Sequence, residues 1–135
     1  MRIHIGEPSL GEEELNNVIE AVKSGLISSK VGRFINEFEE KFATYSGVKY
    51  GITTANCTAS LHLALEALGI GAGDEVIVPT LTFIATANAV SYTRAKPIFV
   101  DSHSDYWCLD PEKVEKAITP RTKAIIPVHL FGHPC

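Results

Sequence analysis

The stretch "EVIVPTLTFIATANAVSYTRAKPIFVD", residues 75–101, decides the architecture. It opens on one strand-like run, Glu75–Val78, and closes on another, Pro97–Val100. Between them, from about Thr82 to Tyr92, the spacing is helical. Two such runs joined by a helix-length crossover form a βαβ unit, and the strands of that unit run parallel. Val76 to Thr93 carries no charge, which imitates a membrane span. Pro79, Asn88, Ser91 and the threonines within it read better as a buried strand, a turn and a helix.

The same rhythm continues outward. On the C-terminal side lies a helix, Pro111–Ile118, with Asp110 as N-cap and Pro111 at its first position, then a strand, Ala124–Val128. On the N-terminal side "GITTANCTASLHLAL", residues 51–65, reads as strand into helix: Tyr50–Thr54, then Thr58–Leu68. The sum is βαβαβαβ with a mostly parallel sheet, an α/β fold. Two helices precede it. Leu15, Val18, Ile19 and Val22 make one apolar face that Gly25 ends; Phe34, Ile35, Phe38, Phe42 and Tyr45 make an aromatic stripe that Gly47 ends. Helical spacing marks that stripe as core. The expected division is a helical segment, 1–47, packed on a partial α/β domain, 48–135.

Composition excludes several classes. With 135 residues, 45% apolar and 21% charged, the chain suits one globular domain with a core. A net charge of −4 argues against nucleic acid or an anionic membrane as partner. Cys57, Cys108 and Cys135 are odd in number and widely spaced, so neither a disulfide framework nor a zinc site is indicated, and a reducing cytoplasm fits. The N-terminus lacks the apolar run of a signal peptide.

A parallel sheet offers its ligand site beyond the carboxyl ends of its strands. Two turns there carry information. Ala55-Asn56-Cys57-Thr58 opens a helix with small residues, so an anion could approach the free N–H groups and the Thr58 hydroxyl. The plainer reading is an N-cap by Asn56 or Thr58, which every helix wants. Phe83, just past the second strand, fits either a ring-stacking platform or the core. Three further features read blandly. Gly69-Ile-Gly71-Ala-Gly73 follows a helix instead of a strand, so it is a helix end and turn and no dinucleotide fingerprint. His129 and His133 are four apart, but Gly132 and Pro134 argue against a helix that would pair them on a metal. Cys57 reads as a small filler.

Taken together, "GLISSKVGRFINEFEEKFATYSGVKYGITTANCTASLHLALEALGIGAGDEVIVPTLTFIATANAV", "KPIFVD" and "ITPRTKAIIPVHLFG" resemble the start of the DegT/DnrJ/EryC1/StrS aminotransferases. The flavour is that of perosamine-synthase-like enzymes, which use pyridoxal 5'-phosphate to aminate nucleotide-linked keto-sugars. The resemblance implies the N-terminal part of a fold type I (aspartate aminotransferase-like) large domain. It implies a cofactor-phosphate turn at Cys57, Thr58 and Ala59, with Cys57 where many members have Gly. Phe83 matches the aromatic on the pyridine ring, and Ser28 and Ser29 match a loop near the substrate. No metal is implied. The implied partners are a nucleotide-sugar and an amino-acid donor such as glutamate, in a cytoplasmic homodimer serving polysaccharide or glycan precursor synthesis.

The resemblance also places two groups beyond Cys135: the Schiff-base lysine and the Asp that pairs with the pyridine nitrogen. It sets strand 75–78 between 97–100 and 124–128, and sends strand 50–54 to the far edge, beside a strand outside this sequence. An unpaired edge would result. The expectation is therefore a fragment, inactive alone. Two alternatives stand: a non-catalytic remnant that binds an anion or a partner protein, or a related dehydratase using the aminated cofactor.

Overall fold

The computed structural model describes residues 6–27 and 32–135. Two compact units form, Met1–Thr53 and Thr54–Cys135. In the first, α1 spans Glu12–Ser24 and α2 spans Arg33–Ser46. The backbone N–H of Gly11 donates to the Glu14 carboxylate at 2.7 Å, which closes the first turn and holds that carboxyl below its usual range. Gly25 and Gly47 end the helices with φ of 69° and 67°, a left-handed conformation that only glycine adopts without strain. Arg33 joins α2 to α1 through Glu20 at 2.9 Å.

Two expectations for this unit fail. The aromatic stripe is not core: Phe38, Phe42 and Tyr45 are exposed, and Phe38 and Phe42 stack on each other at 5.4 Å between ring centroids. Leu15, Val18, Ile19 and Val22 of α1 are exposed as well. An amphipathic face becomes core only against a second apolar surface. Nor is there a strand at 50–54. A strand exists by pairing, and among the described residues no strand pairs with this segment. Instead Thr53 donates both its N–H and its hydroxyl to Glu39 Oε1, at 2.8 and 2.9 Å. Gly51 sits so close to α2 that a Cβ there would lie 2.5 Å from the Glu39 carbonyl oxygen.

The second unit is the expected α/β layer structure. Its elements are α3 (Cys57–Ala67), β1 (Glu75–Pro79), α4 (Ala85–Tyr92), β2 (Lys96–Val100), α5 (Pro111–Ala117) and β3 (Thr122–Ile125). The sheet is parallel with order β2-β1-β3, so β1 is central as the resemblance implies. All five β1 residues are buried. Alternation sends Val76 and Val78 to one face, into a cluster with Leu65, Val90 and Ala95, and Ile77 to the other, with Val100 and Leu109. β3 starts two residues earlier than expected. The Arg121 carbonyl takes the Glu75 N–H at 2.8 Å, a register shift follows, and Pro127 brings no N–H to continue the ladder. Among the described residues no helix is long and apolar enough to cross a membrane.

The amino ends of β1 and β3 are tied by a buried carboxylate. Glu75 Oε1 accepts from Arg121 Nη2 at 2.7 Å and Nε at 3.0 Å, and Oε2 accepts from the Thr119 hydroxyl at 2.6 Å. The Thr119 bond first, then Arg121, hold its carboxyl below the usual range. A pKa lower in the folded than in the unfolded state gives stability that is complete above the unfolded value, near 4.5, and is lost as pH falls through the folded value. The melting temperature should therefore drop on acidification below about pH 4.5. In Glu75→Gln it should start lower at neutral pH and fall less on acidification, as followed by circular dichroism.

Candidate functional site

A cavity of about 550 Å³ opens beyond the carboxyl ends of β1 and β3, on the edge where such sheets bind ligands. Three separate segments build it. The first is the start of α3. Asn56 is the N-cap, in extended conformation, and its Oδ1 accepts from the Ala59 N–H at 2.9 Å. Its carbonyl takes the Ser60 N–H at 3.1 Å, and the Thr54 hydroxyl bonds it at 3.0 Å. One donor of the first turn is thus satisfied. The N–H groups of Cys57 and Thr58, and the Thr58 hydroxyl, meet no acceptor among the described residues.

The second segment follows β1. Phe83 lies at the cavity and is 78% exposed, so it is not the core phenylalanine that the local pattern also allowed. Thr82 and Thr86 bond each other at 3.1 Å, which uses the proton of one hydroxyl and leaves that of the other. The third segment follows β3. Ile126, Pro127 and Val128 give an apolar wall, and His129 ends it.

Among the described residues no Asp, Glu, Lys or Arg lines the cavity. An anion there would meet no like charge and no counter-ion. What favours it is the positive end of α3 with its two free N–H groups. The cavity thus suits a flat apolar ring bearing an anion at one end. A second concavity, of about 490 Å³, lies at the amino edge of the sheet, with Arg94, Lys96 and Arg121 opposed by Asp74 and Glu75. There the acids answer the cations, and Arg121 is already engaged by Glu75.

Of the residues named from sequence, Cys57, Thr58 and Phe83 converge on this one cavity. Ala59 does not line it, and its N–H is spent on the cap. Ser28 and Ser29 lie outside the described residues. Sequence reasoning passed over the wall from Ile126 to His129, because it weighed His129 only as a metal ligand. The available signal was position, at the end of the third strand of the sheet. Among the described residues no group of three His, Cys, Asp or Glu could hold a metal. Gly69 and Gly73, with φ of 72° and 96°, form the turn between α3 and β1.

The chain is also similar to known proteins. The model of the DegT/DnrJ/EryC1/StrS aminotransferase family matches residues 8–135. GDP-perosamine synthase of Caulobacter vibrioides is 54% identical over 134 residues, which is 99% of this chain and 36% of that protein. The aminotransferase of Psychrobacter cryohalolentis superposes with a TM-score of 0.90 at 39% identity, over 95% of this chain and 32% of the other. NtdA of Bacillus subtilis, solved with its cofactor PMP bound, superposes with a TM-score of 0.81 at 39% identity, over 91% of this chain and 29% of the other. The chain therefore spans about a third of the length of these relatives.

The cap is open to direct test. Asn56→Ala should cost about 1 kcal/mol in urea unfolding, and Asn56→Ser should restore most of it. Equal stability of all three would show that the Asn56–Ala59 bond does not hold the turn.

Proposed function

Because this chain belongs to the DegT/DnrJ/EryC1/StrS aminotransferase family, we propose that it is the N-terminal part of a pyridoxal-phosphate enzyme that aminates a nucleotide-linked keto-sugar. The observation that carries the reading is the convergence of two free helix N–H groups, the Thr58 hydroxyl and the open face of Phe83 on one uncharged cavity. These groups fit the cofactor's dianionic phosphate and its flat ring. Bound there, the cofactor would supply the electron sink that amino transfer needs.

The residues then divide the work. The N–H groups of Cys57 and Thr58, with the Thr58 hydroxyl, hold the phosphate. The ring of Phe83 lies against the pyridine and keeps water from that face. Ile126, Pro127 and Val128 add apolar atoms to the lining. Among the described residues no lysine lines the cavity, and the part assigned to them is to bind the cofactor. Ser28 and Ser29 are assigned to the substrate side. A glutamate donor, a cytoplasmic homodimer and a place in glycan-precursor synthesis complete the reading, and these parts rest on the family resemblance.

The test is cofactor titration of the polypeptide at its full natural length, followed by absorbance. Thr58→Val and Phe83→Ala should each weaken pyridoxal-phosphate binding about tenfold, the scale of one charge-assisted bond or one ring contact. Failure of the unaltered protein to bind, or unchanged affinity in both variants, would overturn the assignment. The 135-residue chain by itself should show no amino transfer to a keto-sugar; measurable turnover would contradict the division of labour.

A further inference from the structure

Two cysteines far apart in sequence meet away from the cavity lining. Cys108 lies near the end of the loop that follows β2 and is buried; Cys135 lies past the turn that follows β3 and is exposed. Both are free thiols. The loop is closed on itself: the His103 N–H donates to the Cys108 carbonyl at 2.9 Å, and Ser102 pairs with Leu109 in an antiparallel bridge. The turn is held as firmly. Cys135 donates its N–H to His129 Nδ1 at 3.0 Å and its thiol to the Val128 carbonyl at 2.9 Å. Loop and turn are then joined to each other. The Cys108 thiol donates to the His133 carbonyl at 3.4 Å. The Tyr106 ring stacks on His103, with centroids 4.2 Å apart, and on His133, at 5.7 Å. These contacts bring the two sulfurs within hydrogen-bonding reach of each other.

Thiols that already touch need little chain movement to bond. The pair is also unequal in a useful way. Cys135 is open to a small oxidant, whereas Cys108 is shielded and reaches only Cys135. Shielding of the Cys135 sulfur first, and then the Cys108 thiol beside it, hold the Cys135 pKa above the ordinary thiol value. Thiolate is therefore scarce at neutral pH, and attack on an oxidant is slow. The same shift favours the product. A strongly oxidising disulfide is one whose reduced form is stabilised as thiolate, and no such stabilisation operates here.

We propose that Cys108 and Cys135 are a modification site: a small-molecule disulfide oxidises them to an internal disulfide that staples the loop after β2 to the turn after β3. Cys135 loses its proton to solvent and attacks one sulfur of the oxidant. The oxidant's S–S bond breaks, and one of its halves leaves as thiolate. Cys108 then loses its proton and attacks the Cys135 sulfur of the mixed disulfide, and the second half leaves. Two protein thiols give up two electrons and two protons, and the oxidant becomes two thiols. The staple acts on the cavity from behind. Cys135 can no longer donate a thiol proton to the Val128 carbonyl, and Val128 and His129 belong to the cavity lining. The inference is independent of the cofactor reading.

The test uses the polypeptide at its full natural length, folded, with glutathione disulfide as the oxidant. After equilibration, remaining thiols are blocked and the protein is digested without reductant for mass spectrometry. The unaltered protein should yield a peptide pair joined through Cys108 and Cys135, and dithiothreitol should return both as free thiols. In Cys108→Ala the exposed Cys135 should keep one glutathione, because nothing displaces it. In Cys135→Ser the buried Cys108 should stay unmodified. The rate of joining should rise about tenfold from pH 7 to pH 8, following the thiolate fraction of a thiol that titrates above that range. Absence of the joined pair in the unaltered protein, or glutathione retained on its Cys135, would overturn the proposal. Glutathione on Cys108 in Cys135→Ser, or a rate that does not change with pH, would overturn the role of Cys135 as the attacking thiol.

Discussion

The α/β unit depends on β1. Its five residues are buried on both faces and paired along both edges, with β2 on one side and β3 on the other. A strand in that position leaves its neighbours little freedom. Val76 and Val78 fix the layer that carries α3 and α4, and Ile77 fixes the layer that carries α5. At its amino end Glu75 would be a costly buried charge, and Arg121 and Thr119 offset that cost while setting the register of β3. Its carboxyl end releases the turn that brings Phe83 to the cavity. Fold and site are thus two ends of the same strand.

The cavity uses dipoles where other anion sites use charges. Among the described residues its lining holds no Asp, Glu, Lys or Arg, so there the positive end of α3 is the main attraction for an anion. Asn56 matters here by what it leaves undone. It satisfies Ala59 and spares Cys57 and Thr58, so the first two N–H groups of the helix remain for a ligand. A longer or branched residue at Cys57 would crowd that approach.

Local patterning revealed what local chemistry controls. The strand–helix–strand run of residues 75–101, the glycine ends of α1 and α2, and the Asp110 cap of α5 all formed as read, because each depends on its own sequence. The segment 50–54 has a strand's composition but took α2 as its partner, since strand identity requires a neighbouring backbone. The stripe of Phe38, Phe42 and Tyr45 has a core helix's spacing but stays exposed, since burial requires an opposing surface. Thr58 and Phe83 were legible one by one, each with a bland rival reading. Their meeting on one cavity was not, because 25 residues and a sheet edge separate them. His129 was the least legible. Its signature is a hydrogen bond from Cys135, which no periodicity announces.

The central claim is that the free N–H groups opening α3 grip a phosphate while Phe83 covers the attached ring. A crystal structure of the full-length polypeptide with pyridoxal phosphate tests it most directly. The account predicts phosphate oxygens within hydrogen-bonding distance of the Cys57 and Thr58 nitrogens and the pyridine against Phe83. A phosphate bound instead at the amino edge of the sheet, among Arg94, Lys96 and Arg121, would contradict it.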